Sequence, residues 1–478
     1  MSEGDFMGFI GREKELDALN AMYAQDSFAL FILYGRRRVG KTTLLYEFGK
    51  DKDTIFYAAE QSNNKLNLEK FSKQVFSFYG ETTLEPFTSW TNALTFIAKR
   101  QDGKRLLLIL DEFPYLARKN STLLSELQHL IDHTLKNTRL FLVFCGSYMG
   151  FMEKEVLSAK SPLFGRRTGQ LCMKSFDYQT SLLFLQDFPP EEQLLYYGAY
   201  GGTPMYLEQI DHRLTFEENI KKSYLQPVSY LYEEPLLLLR QEVQEPGVYS
   251  AIIEAIAGGA SKANEIATRI GEENAKCLKY IKTLCELGIL RKETPFGEKE
   301  SSRKSIYAVC DQMFRFWYRY VFSNRMLIET GASEAIWKYR ILPDLPNYMG
   351  RSFEQICLEY LLRQNAAGKL PFLFTAIGRW WGTDPTTRTQ KEIDLIAGEG
   401  TQYLICECKW RNEPVDLPVL TTLQKKADVF CKTRSATWYL LFSKNGFTKK
   451  LLDAAAQDTS VLLIELNDLL PQQAAGPD

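Results

Sequence analysis

The sequence predicts a multidomain α/β protein, and three observations predict it. Between residues 28 and 204, apolar runs of strand length alternate with helical patterns, as in a parallel sheet covered by helices. Pro246-Gly247 then punctuates the chain and introduces a compact pattern of three helices and a hairpin. Finally, Pro343 and Pro346 mark a boundary beyond which a helix, several strands and another helix make a second, smaller α/β domain. A chain of 478 residues is too long for one core, and about two to four domains are expected.

The candidate strands of the first sheet are FALFILY ending at Tyr34, TIFYAA from Thr54, RLLLIL ending at Leu110, RLFLVFC ending at Cys145, and QLCM near Cys172. They define a core over residues 1–175. Residues 176–245 turn helical, rich in Leu and Tyr, and suit a helical lid. Residues 246–312 read as a winged helix: VYSAIIEAIAG, KANEIATRIG and AKCLKYIKTLCELG, then a hairpin of ILRKE and SIYAV whose turn contains Gly297. The aromatic run MFRFWYRYVF marks a linker helix over 313–342, and residues 343–470 form the last domain. The tail PQQAAGPD is expected to be disordered.

Composition narrows the function classes. A net charge of −1 excludes a protein coated in basic surface, so any nucleic-acid contact must come from local patches. Nine cysteines, an odd number without C-x-x-C spacing, read as reduced thiols in a cytoplasm. The segment MSEGDFMGFIGREKEL has neither a basic n-region nor an apolar h-region, so export is not expected. Apolar runs such as LLLIL are strand-sized and end in charge, so a soluble, cytoplasmic protein without membrane contact is expected.

The segment from Gly35 through Arg38, Val39, Gly40, Lys41 and Thr42 matches G-x-x-x-x-G-K-[ST], directly after a strand and before the helix TTLLYEF. Glycines let backbone N–H groups curl around phosphate oxygens, and the helix start at Thr42 and Thr43 adds its positive dipole end. Lys41 is placed to reach the β- and γ-phosphates of ATP, and the Thr42 hydroxyl to ligate Mg²⁺. In LLLILDEFPYL, Asp111 ends an apolar strand where it can hold the Mg²⁺ shell, and Glu112 can orient or deprotonate water. Ser147 reads either as a polar sensor beside the γ-phosphate or as a plain turn residue. Arg166 and Arg167 read either as charge stabilisers or as a solvated loop pair.

These segments resemble the archaeal-type ATPases of the AAA+/STAND group. The matching stretches are FIGREKEL, the phosphate loop, LDEFPYL, CGS at 145–147, SPLFGR and GGTPMYL, in the family's order over the first half of the chain. The resemblance implies that Ile10, Gly11 and Arg12 lie near the adenine, that Gly202 and Pro204 mark the lid, and that nucleotide state switches an attached effector.

On the third helix of the winged-helix pattern, Cys277, Leu278, Tyr280, Ile281, Leu284, Cys285 and Leu287 fill one half and Lys276, Lys279 and Lys282 the other. That lysine stripe suits a DNA backbone, with Arg291, Lys292, Arg303 and Lys304 on the wing. It reads equally as a solvated face, diluted by Glu293, Glu298 and Glu300.

In the last domain Glu354 lies on the helix SFEQICLEYLLRQ, Asp394 on KEIDLIAG, and Glu407 and Lys409 on YLICECKW. Strand alternation puts Glu407 and Lys409 on one face and Cys406 and Cys408 on the other. A hairpin through the turn at 398–400 would add Asp394. Asp394 and Glu407 could then hold one or two Mg²⁺ ions, with Lys409 orienting water or stabilising charge, and Glu354 and Gln424 assisting. This helix-E, strand-D, strand-E-x-K layout resembles the PD-(D/E)XK nuclease superfamily, although Ile393 stands where the family's name has Pro.

Together these readings lead to an ATP-binding, ATP-hydrolysing protein that regulates or carries out Mg²⁺-dependent DNA cleavage. DNA would be held through the winged helix and the C-terminal domain, with a homo-oligomer or protein partner open. The alternative is an ATP-dependent signalling or transcription-regulatory switch whose nuclease-like domain binds without cutting.

Overall fold

The computed structural model describes residues 9–471 apart from 82, 102 and 432–435. The residues at 1–8, part of the segment read for export, and the tail at 472–478, expected to be disordered, lie outside the described residues. The chain divides into two compact units, Met1–Ser175 and Phe176–Asp478.

The first unit is built on strands β1 (Ala29–Tyr34), β2 (Thr54–Ala58), β3 (Leu107–Asp111), β4 (Phe141–Gly146) and β5 (Gly169–Cys172), in the order β2-β3-β4-β1-β5. Every pairing is parallel. Strands in such a sheet are covered on both faces, which explains why they read as continuous apolar runs. Alternate residues feed two cores: Leu30, Ile32, Leu108, Leu110, Leu142 and Phe144 on one side, Phe31, Leu33, Leu107, Ile109, Phe141 and Val143 on the other. The strand inserted between β1 and the acidic β3 is β4. The Thr54 strand, although it lies between the two motifs in sequence, pairs outside β3. Because all five strands run the same way, the ends of β1, β3 and β4 share one edge, where ligands of such sheets bind.

The second unit opens with helices at Tyr178–Leu182, Pro190–Tyr200, Pro204–Leu207, Phe216–Tyr224 and Glu234–Glu242. Helices Pro246–Ala257, Ala263–Ile270 and Asn274–Glu286 follow, then the antiparallel hairpin of β6 (Leu290–Glu293) and β7 (Ile306–Val309). The aromatic run is helical, Gln312–Phe316 continuing directly into a π-helical turn at Trp317–Val321, and further helical segments follow to Trp337–Ile341. Met313, Phe314, Phe316, Trp317, Tyr318 and Tyr320 are all buried. Trp317 Nε1 donates to Tyr232 O at 2.8 Å, and Phe316 packs 5.0 Å from Tyr224 and 5.6 Å from Tyr348. Apart from Arg315 and Arg319 the run is apolar around its circumference, so most of it must be core, and burying each such side chain is worth ~1.5–3 kcal/mol.

Pro346 sits in the first turn of the helix Leu345–Ala366, where its missing N–H costs nothing. The last sheet contains β8 (Ala376–Thr383), β9 (Gln390–Glu399), β10 (Gln402–Lys409), β11 (Ala436–Ser443) and β12 (Val461–Glu465), in the order β12-β11-β10-β9-β8. β8, β9 and β10 form an antiparallel meander; β10, β11 and β12 are parallel, joined by helices Leu417–Phe430 and Lys449–Gln457. Glu399 pairs with Gln402, so the tight turn lies at Gly400-Thr401, with Gly400 at φ 56°, and Gly398 stays within the strand. Among the described residues no helix is long and apolar enough to cross a membrane.

Candidate functional site

The first constellation sits where β1 ends. Gly35 has φ 151°, and a Cβ there would lie 2.2 Å from Met173 O, so only glycine fits. Arg38 at φ 70° and Gly40 at φ 89° complete the curl into the helix Lys41–Gly49. The Val39 side chain is core, leaving its backbone to the loop. The Lys41 ammonium turns into the loop and donates to Gly35 O at 2.9 Å and Arg36 O at 3.0 Å. Thr42 Oγ1 donates to Asp111 Oδ2 at 2.8 Å, placing a hydroxyl and a carboxylate, both hard oxygen donors, side by side. Thr43 is exposed on the helix's first turn.

Glu112 follows Asp111 with φ 50°, and its N–H donates to Asp111 Oδ1 at 2.9 Å. Ser147, just past β4, lies with its hydroxyl 2.8 Å from both Glu112 carboxylate oxygens. In this arrangement Ser147 restrains Glu112. Arg12 is buried and braces the loop: its Nη2 donates to Val39 O at 3.1 Å and Lys174 O at 2.6 Å, while Nη1 pairs with Glu15 at 3.0 Å. Ile10 and Gly11 are half-buried before it. Arg166 forms a two-pronged pair with Asp132 at 2.9 and 2.7 Å and donates to Pro162 O and Phe164 O, closing its own loop. That pair holds the Asp132 carboxyl below its ordinary range. Arg167 donates to Leu157 O at 2.9 Å.

The second constellation lies on β9 and β10. The register pairs Cys406 with Leu395, so one step further Asp394 stands opposite Glu407. Asp394 Oδ2 accepts the Cys408 N–H at 2.8 Å. Glu407 is buried, and Lys409 Nζ reaches its Oε1 at 2.6 Å. Cys406 and Cys408 are buried on the opposite face, as strand alternation requires. Burial, followed by the charges of Glu407 and Glu354, pushes the Asp394 carboxyl up to about 7. For Lys409 burial acts to lower the ammonium, but Glu407 and Asp394 more than offset it, and the net direction is upward.

Glu354 approaches this pair from the helix Leu345–Ala366. Burial raises its carboxyl against the pull of Arg351 and Arg379, which contact it at 3.1 and 3.5 Å. Among the described residues, no three His, Cys, Asp or Glu side chains lie close enough together to hold a metal ion. Asp394 and Glu407 are thus the direct candidates, and Glu354 acts through its charge. Sequence reasoning missed Lys426, whose Nζ contacts both Glu407 oxygens at 3.0 and 2.8 Å. Gln424, expected to assist, is on the same helix; the group that reaches Glu407 lies two residues on. Arg351 and Arg379 were also missed, since nothing local signals an ion pair made across elements.

The lysine face of the third helix and the wing carry acidic neighbours of their own. Leu278 is exposed, while Lys276 and Lys282 pair with Glu272 and Glu286 at 3.2 and 3.7 Å. On the hairpin, Arg291 pairs with Glu293 at 2.7 Å, Lys304 with Glu298 at 2.6 Å, and Lys292 with the Glu300 carbonyl. The wing itself docks on the last sheet. Phe296 N–H donates to Arg379 O at 2.7 Å, and the Phe296 ring packs 6.3 Å from Tyr403 and 5.9 Å from Phe430, over Gly398. This face of the wing is packed against protein.

Residues 9–210 match a family described as an ATPase domain predominantly from Archaea. Residues 317–426 match archaeal and bacterial proteins of unknown function, a span that begins in the buried aromatic run and ends on Lys426. An uncharacterised protein of Methanocaldococcus jannaschii is 34% identical over 407 residues, covering 84% of this chain and 88% of that one. An uncharacterised ATP-binding protein of Pyrococcus abyssi is 28% identical over 268 residues, 47% of this chain and 79% of that one. Among solved structures, a Walker-type ATPase of Pyrococcus abyssi aligns with a TM-score of 0.48 at 20% identity, covering 65% of this chain and 96% of that one. Identity at this level along most of both chains, joined to the match over the phosphate-loop unit, shows that the chain belongs to the archaeal-type ATPase family whose ATPase domain is followed by this shared C-terminal region.

Proposed function

We propose that the chain binds and hydrolyses ATP with Mg²⁺ at the phosphate loop, and that nucleotide state governs Mg²⁺-dependent cleavage of DNA by the C-terminal domain. The observation that carries the second half is the meeting of Asp394, Glu407 and Lys409 on adjacent strands. Burial first, and the facing Glu407 second, raise the cost of ionising Asp394, and a divalent cation held there would relieve it. Bound there, Mg²⁺ would polarise a phosphate and activate water. The chain's own contributions are distinct. The Cys408 N–H holds Asp394 in place, Lys409 offers a cation to the charge that develops on the phosphate, and Lys426 orients Glu407.

In the ATPase unit, Lys41 and the loop amides supply donors to phosphate oxygens, and Thr42 with Asp111 would hold Mg²⁺. Glu112 is the water-activating candidate, with Ser147 controlling its availability. The relatives whose names record ATP binding support this half.

A plasmid digest with and without ATP and Mg²⁺ tests the reading. Mg²⁺-dependent nicking lost in Asp394→Ala is the expected result; no cutting by the wild type, or undiminished cutting by the variant, removes the nuclease claim. A second reading has its own observation: two ammonium groups already compensate Glu407, which suits a phosphate-binding platform that does not cut. Gel shifts in EDTA with retained DNA binding and no metal-dependent cutting would favour it.

A further inference from the structure

Within the second unit, a cleft of about 380 Å³ lies where the winged-helix module, the aromatic run and the helix Leu345–Ala366 meet. Its wall carries Arg291, Arg315, Arg319, Arg351 and Arg379 against a single carboxylate, Glu293. Four of these guanidiniums are fixed by carboxylates. Arg291 and Arg379 bracket Glu293 at 2.7 and 2.9 Å, Arg319 grips Asp344 at 2.6 Å, and Arg351 holds Glu354 at 3.1 Å. Asp344 and Glu354 lie outside the cleft wall and Glu392 also contacts Arg379, so with Glu293 four carboxylates offset four of the five guanidiniums.

Arg315 differs. Among the described residues no carboxylate pairs with it; its guanidinium lies 4.1 Å over the Tyr348 ring and donates to Tyr348 O at 3.2 Å and to Ser352 Oγ. Its buried Nε has no hydrogen-bond partner among the described residues. A wall of pre-oriented planar forks with one charge uncompensated is suited to phosphate, which guanidinium binds in a two-pronged geometry. The cleft also adjoins the acidic site. Arg351 and Arg379 both contact Glu354, whose charge acts on Asp394.

We propose that this cleft grips the phosphodiester backbone of a nucleic-acid strand and leads it to Asp394 and Glu407. The inference deepens the cleavage reading and rests on it for the strand's destination. It moves the main cationic contact from the lysine face of the third helix to an arginine cleft behind the hairpin. The cleft's grip itself does not require cutting.

The test is fluorescence anisotropy of the full chain with a labelled single DNA strand of about 20 nucleotides, in EDTA so that metal-dependent cutting cannot intervene. Wild type should bind, with an affinity that falls as salt rises. Arg315→Gln and the exposed Arg351→Gln should each weaken binding several-fold and lower the slope of log affinity against log salt by about 0.7. Arg315→Lys should recover part of the loss, and unchanged melting curves would show that the variants fold. Affinity and salt slope equal to wild type in both glutamine variants, or no binding by wild type at low salt, would overturn the proposal. Binding lost in the arginine variants when wild type never cuts would sustain the cleft and sink the nuclease reading. Wild-type cutting with unaltered affinity in the variants would do the reverse.

Discussion

Replacing Asp394 by Asn should stabilise the folded protein, by an amount that grows with pH. The Asp394 carboxyl moves from 3.8 up to about 7, first through burial and then through Glu407 and Glu354. In the unfolded chain it ionises at the ordinary value. Below pH ~4 both states hold the proton and the position is neutral in cost. As pH rises from there toward 7, the folded state keeps a proton that the unfolded state has released, so stability falls. Above about 7 the folded protein carries the full cost of ionisation, about 4 kcal/mol. Asn keeps an oxygen to accept the Cys408 N–H and has nothing to ionise. Urea unfolding of both proteins in EDTA should show a stability difference that widens by about 2–3 kcal/mol between pH ~5 and ~8. Parallel curves, or a variant that is less stable at the upper end, would refute the claim that these carboxylates repel one another in a poorly solvated site.

Three other substitutions test separate parts of the account. Gly35→Ala would drive a methyl into Met173 O at a backbone angle that L-residues rarely adopt; it should abolish nucleotide binding and lower the melting midpoint, as read by equilibrium dialysis and calorimetry. Ser147→Ala frees Glu112, so ATP turnover should rise, by up to about tenfold, at unchanged nucleotide affinity. A fall in steady-state turnover would instead make Ser147 the γ-phosphate sensor. Phe296→Ala removes the ring that seats the wing on the last sheet and should cost about 2–3 kcal/mol in chemical unfolding. A change below about 0.5 kcal/mol would mean that the wing is held by other contacts.

What could be read from the sequence is what local pattern encodes. The five strands of the first sheet announce themselves because strands buried on both faces must be continuously apolar, and the phosphate loop because its glycines answer to backbone angles. Asp394 opposite Glu407 was legible because strand alternation and a short hairpin leave little freedom. Strand order was less so: β4, not β2, separates β1 from β3, and pairing between distant segments leaves no local trace. The aromatic run is helical, as its pattern suggests; its burial was the part left unread, although apolar residues cover most of its circumference. Lys426, Arg351 and Arg379 escaped because ion pairs made across elements have no spacing rule. The pairing of Arg166 with Asp132 was hidden for the same reason, since the two lie 34 residues apart in sequence.

The claim that β9 and β10 carry a metal-dependent hydrolytic centre is tested most directly by locating a bound ion. Anomalous diffraction from crystals soaked in Mn²⁺ should place a peak between the Asp394 and Glu407 carboxylates, with Lys426 drawn away from Glu407, and the peak should vanish in Asp394→Asn. Full Mn²⁺ occupancy at the Thr42–Asp111 site with none between Asp394 and Glu407 would contradict it.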